Sequence, residues 1–460
     1  MKTIAAKKLS LLILLLITLS LVPRQQELQE KESLAPSQSI ILEDKKIVEN
    51  IAQLEEWITI FIHGIISVKP YLNIPNVVKF VRDKIANTTY AHTIELTRRD
   101  QFFYQHHPMQ DLGLHKINAS LIQKGAAASA YAQLFDDMYL HAGQQMKNQY
   151  YTFGWSGLLS PRMRYLEAKI FYDQLLKELP NIKQKSVKPK IRIVSYSHGG
   201  NVALKLAEIY KSEGYKKEEK IIIDELILIG VPILPETDYL INSSIFKKIY
   251  HCYSYGDRVQ RMDCFSVNRM FSNRIFKKRS DFPVSEKLVQ INIRMKRPAL
   301  TKDRKPQTAD ERMIAIKKRK HLRTADPGHS ELWSFGWTPV NFRKNFPLYP
   351  LPLAIIIPYI VSQLQQHLPN TKNISVEVHP SYEQLIAYDF LSKKEYFLPF
   401  LTVEQLTMAK EKAELYRPDN FNKKIYNAKI NEAKRNGKKR WLSNRNVQRM
   451  GHQRFKYPIA

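Results

Sequence analysis

Three residues of this 460-residue chain are of the types that together turn a weak hydroxyl into a nucleophile: Ser197, Asp257 and His329. Ser197 lies in 190–204, where an apolar, β-branched run (Ile191, Ile193, Val194) stops at Ser195-Tyr196-Ser197-His198-Gly199. A helix-compatible segment, 201–210, follows at once. A strand, a sharp turn centred on serine and a helix would push that hydroxyl out beyond the sheet. Serine alone is a poor nucleophile. It needs a base for its proton, a carboxylate to orient the base, and donors for the oxyanion.

The rest of the chain offers these partners in order. Asp257 sits in Gly256-Asp257-Arg258-Val259, at the end of an expected strand over 249–255, with Asp263 as the alternative carboxylate. His329, in Asp326-Pro327-Gly328-His329-Ser330-Glu331, falls after the expected strand 288–295 and before the apolar segment 351–364. His321 stands beside a lysine cluster and His367 comes after the apolar segment, so neither suits the base as well. The amides of Gly64 or Ile65, following His63 at the end of a strand over 57–63, and the amide of His198 are the expected oxyanion donors. The side chains of His63 and Trp155 read as structural.

The elements that must hold these residues are short apolar strands alternating with helices. Strands are expected at 57–63, 150–153, 190–194, 226–229, 249–255 and 288–295, and helices at 45–56, 161–179 and 201–210. Such alternation predicts a largely parallel sheet covered on both faces, with its chemistry beyond the carboxyl ends of the strands. His63, Trp155, Ser197 and Asp257 all fall there.

The pattern resembles the α/β-hydrolases of the lipase and esterase kind. The residues that carry the resemblance are Phe-Ile-His-Gly at 61–64, Phe-Gly-Trp-Ser-Gly at 153–157 and Ser-Tyr-Ser-His-Gly-Gly at 195–200, then Gly-Asp-Arg-Val at 256–259 and Gly-His-Ser-Glu-Leu-Trp at 328–333. Ser195 departs from the family pattern, which has glycine there. The resemblance spans roughly 57–368. It implies an α/β-hydrolase fold, ester cleavage through an acyl-enzyme, catalysis by Ser197, Asp257 and His329, and no cofactor or metal. Acyl transfer to an alcohol on the same triad is one alternative. A non-catalytic binding protein of this fold at an anionic membrane surface is another.

Composition sets the outer bounds. A hydrophobic content of 44% supports a large packed core and excludes a disordered chain, and 15 glycines beside 24 prolines exclude a collagen-like one. The net charge of +29 is densest at 302–323 and 423–456, away from the serine, and points to partners or solubility rather than chemistry. Residues 1–24 read as a signal peptide or signal anchor, with Lys2, Lys7 and Lys8 before an apolar run over 9–22. The chain is therefore expected to be exported (secreted or periplasmic) or membrane-anchored. Residues 25–44 form an expected linker and 45–369 the main domain, containing a helical lid candidate at 65–147 and a basic insertion at 300–325. A basic extension, 370–460, completes the chain, with a helix expected from a Thr402 N-cap to Tyr416. The expected partners are an ester or lipid substrate and an anionic surface, with nucleic acid disfavoured. Cys252 and Cys264 could pair in an oxidising compartment or simply be buried.

Overall fold

Runs of β-branched and aromatic residues fit a pleated, buried surface, and they become the strands here. The computed structural model describes residues 55–66, 83, 85, 88–182, 189–212, 220–261, 272–279, 282–298 and 322–454. Five strands build the centre of the sheet: β1 (Glu55–Ile62), β3 (Met146–Gly154), β4 (Lys190–Tyr196), β5 (Ile223–Ile229) and β6 (Phe246–Tyr253). With β2 (Gly113–Lys116), β7 (Leu288–Pro298), β9 (Asn373–His379), β10 (Gln384–Asp389) and β11 (Glu395–Pro399) they run in the order β11-β10-β9-β7-β6-β5-β4-β1-β3-β2. A short β8 (Leu322–Thr324) pairs only with β7. From β3 to β9 all neighbours are parallel, and the antiparallel strands lie outside that block.

Strand side chains alternate between faces, so each central strand feeds two cores. Phe61, Val194, Ile227 and Ile229 enter one, shared with α2 (Ala127–His141) and α6 (Leu353–His367). Ile60, Ile62, Ile193, Leu226 and Leu228 enter the other, with α3 (Pro161–Ile182) and α4 (His198–Lys211). The result is a helix–sheet–helix sandwich. Around it lie α1 (Thr89–Arg99), the single-turn-scale α5 (His329–Trp333), α7 (Val403–Glu414) and α8 (Lys423–Arg454).

Several expectations change. Of the helix expected over 45–56, residues 45–54 lie outside the described residues, and Glu55 and Glu56 already belong to β1. The reason is pairing: Glu55 stands in register with Met146, so the ladder begins there. The expected export or membrane anchoring is corrected. No helix among the described residues is long and apolar enough to cross a membrane. A span needs about 20 apolar residues. The most apolar helix, α6, is only 15 residues long, Ser362, Gln363, Gln365, Gln366 and His367 among them, and it packs into the core. Residues 1–24 and 25–44 themselves lie outside the described residues, as do Asp263, Cys264, His321 and most of the basic insertion.

The segment 65–147 is more than an insertion, because it contributes the edge strand β2, paired with β3. Likewise the described part of the extension, 370–454, is built into the fold. β9 pairs with β7 in the same sheet, with Ile291 opposite Ile374 and Ile293 opposite Val376. Thr402 caps α7 as expected: its hydroxyl accepts from the Gln405 amide (3.1 Å), and the Gln405 side chain accepts from the Thr402 amide (3.0 Å). The basic helix α8 lies against α1, with Lys429 paired to Asp100 (2.6 Å) and Arg440 to Glu95 (3.2 Å).

Candidate active site

The backbone at Ser197 is the starting point. Its φ of +51° and ψ of −133° lie in a region that a residue with a side chain rarely adopts, and such strain collects at functional positions. The turn is held from both sides. The Ser197 amide donates to the Ile229 carbonyl (3.0 Å) and the Gly200 amide to the Ser197 carbonyl (3.0 Å). Two glycines let α4 come close: a Cβ at Gly199 would stand 2.3 Å from the His63 carbonyl oxygen, and one at Gly200 2.3 Å from a Val231 methyl. Ser195 is fully buried, and its hydroxyl donates to the Ile227 carbonyl (3.3 Å), so the departure from glycine costs no unpaired polar group.

His329 and Asp257 reach this turn from two other loops. His329 Nε2 lies 3.1 Å from Ser197 Oγ, and His329 Nδ1 lies 2.8 Å from Asp257 Oδ2. Asp257 is fully buried, and its second carboxylate oxygen accepts from the Gln260 amide (3.2 Å). The turn before it is tied by Asp257 N to the Ser254 carbonyl (3.2 Å) and Gly256 N to the Ser254 hydroxyl (3.1 Å). Gly230, at φ +58°, leaves room beneath the pair, since a Cβ there would lie 3.1 Å from Asp257 Oδ2.

Four residues that position His329 escape a sequence reading. Tyr196 donates its hydroxyl to the His329 carbonyl (2.8 Å), lays its ring against the imidazole (4.7 Å between centroids) and stacks on Trp333 (5.3 Å). Glu331 is fully buried, accepts from the Gly328 amide (2.7 Å) and from Arg343 Nε (2.6 Å). Arg343 also donates to the Asp326 carbonyl (2.7 Å), closing a brace around the His329 loop. Tyr196 stands within Ser195-Tyr196-Ser197, but neither its bond to the His329 carbonyl nor the Glu331–Arg343 contact leaves a local signal.

On the oxyanion side, Gly64 borders the serine: a Cβ there would stand 2.9 Å from Ser197 Cβ and 2.8 Å from the Tyr196 ring. Ile65 follows, half-buried against the second core. The His198 amide opens α4, whose dipole favours developing negative charge at this end. The His198 ring is buried, with Arg164 donating to its Nδ1 (3.4 Å). Burial first, then the Arg164 cation, holds its pKa well below the usual histidine range. His63 is likewise kept neutral, by burial and then Arg98. Its Nδ1 donates to the Gly64 carbonyl (2.5 Å) and its Nε2 accepts from the Trp155 amide (3.3 Å), so both ring nitrogens serve the turn.

Cys252 is buried on β6, and burial pushes its thiol pKa up. Among the described residues no group of three or more His, Cys, Asp or Glu side chains is placed to hold a metal ion. The arrangement of hydroxyl, imidazole and carboxylate can pass a proton from Ser197 Oγ to His329 while Asp257 balances the charge. Comparison with protein-family models and with curated proteins finds no match to this chain.

Proposed function

We propose that this chain is a serine hydrolase of the α/β-hydrolase kind that cleaves carboxylic esters, with lipid-like esters the favoured substrates. The observation that carries the reading is the hydrogen-bonded series Ser197–His329–Asp257, at 3.1 and 2.8 Å, on a strained turn between β4 and α4. The order Ser, Asp, His along the chain supports it, as does the siting of Ser197 and Asp257 just past the parallel strands β4 and β6.

Ser197 Oγ attacks the ester carbonyl while His329 Nε2 takes its proton. Asp257 keeps the imidazole in the tautomer with Nδ1–H and stabilises the imidazolium. The oxyanion is received by the His198 amide and by Gly64 or Ile65. Collapse of the tetrahedral intermediate expels the alcohol, which takes the proton from His329, and leaves an acyl-Ser197. Water, activated by the same imidazole, then frees the acid and restores the serine.

A fluorophosphonate probe tests this directly. Wild type should be labelled at Ser197 and Ser197→Ala should not. Folded wild-type protein that takes up no probe overturns the reading. p-Nitrophenyl esters of increasing chain length then separate short-chain esterase from lipase activity, and added alcohol reveals acyl transfer.

A further inference from the structure

We propose that the outward face of α8 docks on an anionic lipid bilayer, as a peripheral contact with the headgroups. Tyr426, Ile430, Ala433 and Gly437 recur at helical spacing, and all four are buried, so one side of α8 is turned toward the rest of the chain. Opposite them, Lys424, Arg435, Lys438, Lys439 and Leu442 share a stripe about 27 Å long. Lys423 and Lys434 flank it. All six cations are exposed, and Glu432 is the only acid from 423 to 444.

The other cations of this helix set these six apart. Lys429 and Arg440 each meet an acid of α1 or its C-cap, Asp100 at 2.6 Å and Glu95 at 3.2 Å. Among the described residues none of the six exposed cations takes part in an ion pair. Lys434 and Lys438 stand four residues apart, as do Arg435 and Lys439, and like charges at that spacing repel. The helix dipole does not offset this, because it acts within the last turn and α8 runs on to Arg454. An anion from outside would. The stripe is too long for one small anion and suits an extended surface. Five of the six cations are lysines, compact charges without the planar fork that pairs arginine bidentately with phosphate or guanine. No exposed aromatic stands among them for a base to stack on, since Tyr426 is buried and Trp441 half-buried. Leu442, 44% exposed, lies in line with the cations, where it meets the apolar edge of a headgroup layer. These features favour a bilayer over a nucleic acid.

The surface is separate from Ser197 and depends neither on the hydrolase reading nor on a segment that spans the membrane. The test is co-sedimentation of the full chain with vesicles of phosphatidylcholine, alone or mixed with phosphatidylglycerol. Binding to the anionic vesicles should exceed binding to the neutral ones at least about tenfold, and fall as NaCl rises from about 0.05 to about 0.5 M. Arg435→Glu combined with Lys438→Glu turns both repelling pairs into attractive ones, which keeps the helix, and should weaken binding about tenfold or more. Lys277→Glu combined with Lys278→Glu makes the same change of charge at exposed positions outside α8, and should alter binding less than about twofold. Circular dichroism verifies that each variant is folded. Four outcomes overturn the proposal: equal binding to the two kinds of vesicle, binding that survives the α8 variant, an equal loss in the Lys277 and Lys278 variant, or preference for a DNA or RNA duplex over anionic vesicles at equal phosphate concentration.

Discussion

Asp257 illustrates how a residue's role follows from what surrounds it. Its carboxylate is fully buried, with one oxygen on the Gln260 amide and the other on His329 Nδ1. Asp257→Asn keeps the shape but favours the wrong imidazole tautomer. It should lower ester turnover by up to about 10⁴-fold with little change in KM, measured by steady-state kinetics. A second residue-scale consequence concerns acid. Burial lowers the pKa of His106 and of His251 to about 3, against an ordinary 6.5. The unfolded chain binds these protons below its own pKa while the native state refuses them. Their effect on stability is therefore absent above about pH 6.5 and grows as pH falls toward 3, at about 1.4 kcal/mol per pH unit for each group. Urea midpoints taken between pH 7 and pH 5 should fall, and His106→Gln should flatten the slope by one proton.

At the scale of elements, close approach is decided by glycines with no polar or catalytic part. The docking of α8 on α1 is the clearest case. Gly437 faces Thr93 so closely that a Cβ would stand 2.7 Å from its hydroxyl and 3.0 Å from its amide nitrogen. Tyr426, Ile430 and Ala433 of the same helix are buried, Tyr426 against Phe102 and Phe103 just past α1. Gly437→Val should cost about 1–3 kcal/mol, the usual range for overpacking, and expose α8 to limited proteolysis. An unchanged urea midpoint together with an unchanged cleavage pattern would mean that this crossing contributes nothing. Helix α4 uses the same device at Gly199 and Gly200, where it brings Ser197 above β4 and next to Gly64.

For the molecule as a whole, the sheet is the positioning device. Ser197 and Asp257 come from loops after the parallel strands β4 and β6, which deliver them to one end, and His329 follows β8, the short antiparallel partner of β7. The charge is the opposing influence, since a net +29 over the chain repels itself. Screening should relieve it. Raising NaCl from about 0.05 to about 0.5 M should therefore raise the urea midpoint. A flat or falling response would show that local ion pairs already cancel the repulsion.

Local pattern determined much of this protein. Apolar runs bounded by Gly, Ser and Asp marked β1, β4, β5, β6 and β7, because a strand buried on both faces needs continuous hydrophobicity. The Thr402–Gln405 capping box was readable because both of its partners lie within one turn. The residue types at 197, 257 and 329, in that order, pointed to their chemistry. What only the tertiary structure decided is everything held by partners distant in the chain. Residues 370–460 read as an extension because the β7–β9 pairing leaves no trace in either strand alone. The brace of Glu331 by Arg343 and the support of His329 by Tyr196 were invisible for the same reason. A contact between separated residues is set by how the sheet twists and its helices pack, and local spacing carries no record of that.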